Sequence, residues 1–157
     1  RGAASVSKAS GGYNSSNALL CEGRTATWNG AAIALSPAFK AGEAYSFSVN
    51  AMSKDGGDTS TFKLTLQYTG SDGQTKYDEI ASGTAPKGEW VQLANTQYTI
   101  PAGASDMQVY VGYSLLIHST LSLQALQICR YTLKQLTRTL QMTSTSTRLS
   151  ALLRVHR

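Results

Sequence analysis

Three runs of this chain alternate apolar and polar side chains with a period of two: Tyr45/Phe47/Val49/Ala51, Phe62/Leu64/Leu66/Tyr68 and Val91/Leu93. A helix repeats every 3.6 residues, so this pattern fits a strand with one wet face and one buried face. Breakers rich in Gly, Asp or Pro separate the runs: KDGGD from Lys54, TGSDGQT from Thr69, APKGE from Ala85 and PAGAS from Pro101. Short, even spacing between turn signals predicts an all-β fold, an antiparallel β-sandwich or jelly roll. The alternating apolar side chains are then its core, and Trp90 in GEWVQL reads as structural.

The octet GRTATWNG, Gly23 to Gly30, adds an aromatic ring. Read as a strand, it puts Arg24, Ala26 and Trp28 on one side and Thr25 and Thr27 on the other, and it ends in a turn at Asn29-Gly30. By residue type, Trp28 is either a core plug or a flat platform for a ligand.

Composition changes abruptly after Gly112. Residues 1–112 hold eight Lys/Arg and nine Asp/Glu, a net charge of −1, whereas residues 113–157 hold six Lys/Arg and no acid, +6; the two add to the chain's +5. The basic character therefore belongs to the tail and says nothing about the partners of the fold; no nucleic acid is implied. Gly and Pro also stop at Gly112, which predicts a domain over 1–112 and an atypical basic tail over 113–157, disordered or helical. Two readings of the tail stand. A shifted reading frame is one: dropping two bases before His118–Ser122 allows Phe-Tyr-Ile-Glu among its translations. The other is a basic amphipathic helix, with Leu126, Cys129, Leu133, Leu136 and Leu140 at heptad spacing and Arg130, Lys134 and Arg138 between them, serving a partner or a membrane surface.

The octet, the strand Tyr45 to Met52 and the motifs KYDEIASGT and GEWVQL stand in an order and spacing that resemble the family 22 carbohydrate-binding modules, the xylan-binding domains of bacterial xylanases. The resemblance runs from Arg1 to about Val111. It implies a non-catalytic module that holds xylan and xylo-oligosaccharides in a shallow cleft on one face of a β-sandwich. In this chain the matching ligand-binding residues are Arg1, Trp28, Tyr77 and Tyr110. The family's glutamate, two residues after Tyr110, is replaced by Gly112. The resemblance further implies a linked catalytic domain in the parent chain, an endo-1,4-β-xylanase, and a secreted or cell-surface location. It also implies a structural calcium ion whose ligands come largely from segments before Arg1 and after Gly112, so no residue here is assigned to it.

These residue types suit a pentose chain. Trp28 and Tyr110 would cover the apolar faces of a sugar ring, Tyr77 would add surface and a hydroxyl, and Arg1 offers a rigid fork of donors. Position alone weakens two of these assignments. Arg1 is terminal, where chains fray, and Tyr77 in KYDE shares a face with Glu79 as an ordinary half-exposed strand tyrosine would. Tyr110 alternates with Gln108 and so lies on the wetter face, with Val109 and Val111 pointing to the core.

Two other classes of function fit parts of the pattern. A glycoside hydrolase fragment needs two carboxyl groups across a cleft, roughly 5–9 Å apart. Asp55, Asp58, Asp72, Glu89 and Asp106 fall in turns, and Glu22, Asp78 and Glu79 form no hydrolase motif; His118 and His156 lie in the tail, so no Ser-His-Asp triad or metal cluster is apparent. A protein-interaction module would act through the basic tail. No apolar run reaches the about 18 residues that span a membrane. The chain opens without Met or a signal peptide, which reads as a fragment of a longer polypeptide. Cys21, in NALLC, reads as a small core hydrophobe.

Overall fold

The computed structural model describes residues 1–54, 58–114 and, as backbone, 123–131. It contains nine strands: β1 Ser5–Ala9, β2 Ala18–Glu22, β3 Ala32–Ala34, β4 Ala44–Ser53, β5 Thr59–Thr69, β6 Thr75–Pro86, β7 Val91–Thr99, β8 Ser105–Ser114 and β9 Leu123–Tyr131. They form two antiparallel sheets, in the orders β1-β2-β9-β4-β7 and β3-β8-β5-β6. A single 3-10 turn, Tyr13–Ser15, is the only helical element among the described residues, and no described helix is long and apolar enough to cross a membrane.

The period-two runs became strands because their apolar halves meet between the sheets. Tyr45, Phe47, Val49 and Ala51 of β4 face Phe62, Leu64 and Leu66 of β5, with Leu93 of β7 and Val109 and Val111 of β8, all buried. Phe39 stacks on Phe47 with ring centroids 5.8 Å apart, and Cys21 packs in the same core as a small hydrophobe. Tyr68, expected inside, is only half-buried: the register between β5 and β8 shifts between Gln67 and Thr69, which releases that end of β5 from strict alternation. Trp90 packs edge-on against Tyr13 at 5.9 Å, a structural contact, as expected.

The tail differs from expectation over part of its length. Leu123–Tyr131, expected to be disordered or helical, is strand β9, lying between β2 and β4. Both neighbours offer ladder edges there, and the segment pairs with a strand on each side, a context that overrides a local helical repeat. The rest of the proposed helix, Leu133 to Leu140, lies outside the described residues, as does the remainder of the tail after Tyr131.

Candidate functional site

The octet is a loop, where a strand and an Asn-Gly turn were expected. Its organiser is Asn29, which is almost fully buried and whose Oδ1 accepts hydrogen bonds from the Thr25 N–H at 2.9 Å, the Thr25 hydroxyl at 3.1 Å and the Ala26 N–H at 3.1 Å. The turn falls earlier than expected, closed by the Asn29 N–H on the Ala26 carbonyl at 3.0 Å. An Asn side chain that bonds nearby backbone competes with a ladder, which is why alternation failed here. Arg24 braces the loop from below. It donates to the carbonyls of Asn29 and, at 2.8 Å, Thr27, and its guanidinium lies 3.8 Å from the ring centroid of Tyr113. Burial pushes its pKa down from the ordinary arginine value. Arg24, expected on the same side as Trp28, lies beneath the loop instead, only 8 % exposed.

Held this way, Trp28 stands 51 % exposed at the loop tip, so it is no core plug. Trp28, Tyr77 and Tyr110, singled out from the sequence with Arg1, all gather around the Arg1 guanidinium. The Arg1 guanidinium lies 4.1 Å from the Tyr110 ring centroid and 5.6 Å from those of both Trp28 and Tyr77, and it donates to Gln67 Oε1. Arg1 is not frayed. Its amino group donates to the Gly30 carbonyl at 2.6 Å and its own carbonyl accepts from the Gly30 N–H at 3.3 Å. Gly2 makes that approach feasible, with φ +65° and the Asn29 side chain lying where a Cβ would stand. Tyr77 is 57 % exposed on strand β6. Tyr110, expected on a wet face, is 7 % exposed, because Arg1 lies over its ring.

The floor of the site is the outer face of the four-stranded sheet. Across β8, β5 and β6, Thr65 stands between Tyr110 and Glu79, Gln67 between Gln108 and Tyr77, and Lys63 between Gly112 and Ser82. Lys63 Nζ bonds Glu79 Oε2 at 2.7 Å. That contact raises the lysine pKa and lowers the glutamate's, so both stay charged at neutral pH. Beyond the loop tip, a hollow of about 260 Å³ opens between Thr27, Trp28, Tyr110, Gly112 and Lys63. Gly112 is needed for the close approach of loop and sheet: a Cβ there would stand 2.8 Å from the Thr27 carbonyl oxygen.

Gln67, Lys63 and Thr65 were missed in the sequence, although their signal was present. They are the polar half of the β5 alternation, and that half faces the same way as Tyr110. Asp78, adjacent to Tyr77, points the other way and accepts from the Tyr98 hydroxyl at 2.6 Å. Glu79 is tied to Lys63, so no carboxylate pair faces across the cleft among the described residues. Nor do three or more His, Cys, Asp or Glu side chains gather as a metal donor set there, and no described residue is assigned to calcium.

The family model "Carbohydrate binding domain" matches residues 1–114. A xylanase/beta-glucanase of Ruminococcus flavefaciens is 49 % identical over 112 residues, which is 71 % of this chain and 14 % of that protein. Endo-1,4-beta-xylanase Y of Acetivibrio thermocellus is 46 % identical over 100 residues, 63 % of this chain and 9 % of that protein. The match thus spans a small fraction of either relative. The C-terminal family 22 carbohydrate-binding module of Clostridium thermocellum Xyn10B superposes with a TM-score of 0.76 at 38 % identity, covering 83 % of each chain. With an aromatic cleft on one sheet of a β-sandwich, a family model that matches residues 1–114 and a family 22 module that superposes on it, this chain belongs to the carbohydrate-binding domain family, among its family 22 modules.

Proposed function

We propose that this chain is a xylan-binding module that holds xylan and xylo-oligosaccharides without cutting them. The observation that carries the reading is the gathering of Arg1, Trp28, Tyr77 and Tyr110 in one cleft. Trp28 and Tyr77 offer two exposed rings for the apolar faces of successive sugars, and aromatic surface of this kind binds with little loss of side-chain freedom. Arg1 and Gln67 present donors and an acceptor at hydroxyl height between them. Tyr110 acts through Arg1, which rests on its ring.

The names of the relatives support a parent endo-1,4-β-xylanase, which we take to be bacterial and secreted and in which the module concentrates a linked catalytic domain on hemicellulose. We take residues 1–112 as the binding unit. The basic tail 113–157 is read as the product of a shifted frame, of which Leu123–Tyr131 is drawn into the gap between β2 and β4. Calorimetric titration with xylohexaose and with a cello-oligosaccharide of equal length tests the reading. Binding of the first in preference to the second, with no reducing sugar released from xylan on long incubation, is expected. Equal affinity for both, or release of sugar that stops on changing Glu79 or Asp78, overturns it.

A further inference from the structure

The hollow beside Gly112 is smaller than the about 300 Å³ at which pockets for drug-sized ligands begin. It suits a single branch group rather than a polysaccharide backbone. Its position is specific, since Trp28 and Tyr110 form two of its walls and so set it beside the aromatic cleft. Its roof is rigid: the Thr27 carbonyl is held by Arg24 and by the Tyr113 N–H at 3.2 Å, so the loop cannot sink onto β8.

The charge around it is unbalanced. Among the described side chains that meet in the cleft, Arg1 and Lys63 are cations and Glu79 is an anion, while the buried Arg24 lies beneath the loop. Arg1 bonds a neutral amide, so no carboxylate satisfies it within the cleft. An ammonium has three donors and Glu79 engages Lys63 from the β6 side, leaving the side of Lys63 toward Gly112 and the hollow open to another acceptor.

We propose that this hollow is an anion subsite, in which Lys63 Nζ receives the carboxylate of a uronic acid branch on a xylan chain. The module then favours acid-substituted xylan over the unsubstituted chain. The inference rests on the xylan-binding reading and adds the substrate class to it. Both Lys63 and Glu79 are about half exposed, so water and salt weaken the contact and the preference is modest, on the order of two- to fivefold at low ionic strength.

The test compares, by calorimetry, a linear xylo-oligosaccharide with one of the same length carrying a single glucuronic acid branch. The full chain is used, at low salt and at about tenfold higher salt. Expected is tighter binding of the branched ligand at low salt, shrinking as salt rises. Lys63→Met should abolish the preference, bringing the affinities for the two ligands together; Glu79→Gln, which frees the ammonium, should enlarge it. Equal affinities for the two ligands in the parent chain at low salt, or a preference that survives Lys63→Met, overturns the subsite alone. Failure to bind either ligand overturns the xylan reading and the subsite with it.

Discussion

The Thr27 carbonyl oxygen stands 2.8 Å from where a Cβ on Gly112 would lie, so the cleft loop and strand β8 touch through a position that tolerates no side chain. Restoring the family's glutamate there is therefore not a simple gain. Gly112→Glu is expected to displace the 26–29 turn, lowering stability by about 1–3 kcal/mol, as overpacking does, and weakening xylan binding. Thermal unfolding with affinity electrophoresis on xylan checks both; tighter binding at unchanged stability would show that the loop can move aside.

Trp28 offers a cleaner separation of binding from folding. Being half exposed at a loop tip, it contributes little to the core, so Trp28→Ala should leave the unfolding midpoint nearly unchanged while reducing xylohexaose affinity at least tenfold. Calorimetry and a melting curve on the same preparation settle the matter. Unchanged affinity would remove the ring from the site.

Asn29 should behave in the opposite way. Its Oδ1 accepts three hydrogen bonds in a buried setting, and Asn29→Ala leaves their donors unsatisfied at about 1–3 kcal/mol for such a group. Both stability and binding are expected to fall, although the side chain reaches no ligand. Urea unfolding alongside the titration reads the two effects separately.

The alkaline limb of stability is set by two buried protons. Burial pushes the Cys21 thiol up, and burial together with Asp78 pushes the Tyr98 hydroxyl up. Both groups hold their protons more tightly when folded, so their contribution is complete below the ordinary thiol and phenol values, about 8.5 and 10, and is lost as pH rises beyond them. Melting temperature should therefore fall progressively above about pH 9. Tyr98→Phe should start lower, for loss of the Asp78 bond, and decline less steeply above about pH 10; an identical slope would place the titration elsewhere.

The sandwich was legible because burial enforces alternation: Tyr45, Phe47, Leu64 and Val109 could be assigned from their spacing alone. The members of the cleft were legible through the motifs that hold them, but the reason they meet was not. Nothing in GRTATWNG announces that the Asn29 amide would draw Thr25 and Ala26 into a loop, or that Arg24 would brace it from beneath. Such bonds depend on geometry fixed by the neighbouring strands. Lys63 escaped for another reason: it is one of several polar residues on β5, and only the register that sets it opposite Gly112 marks it out. Strand β9 was hidden because its place is dictated by the edges of β2 and β4 rather than by its own pattern.

That placement has a consequence for how the molecule assembles. Leu20 pairs with Gln124, 104 positions later, whereas the sheet bearing the cleft, β3-β8-β5-β6, is complete by Ser114. Contacts so distant along the chain form slowly, since a long loop must close before they are rewarded. As the polypeptide emerges, the cleft sheet has all its partners first, and β2 and β4 wait with bare edges for the last strand. The interval before β9 arrives is when the nascent chain is most exposed to pairing with another copy.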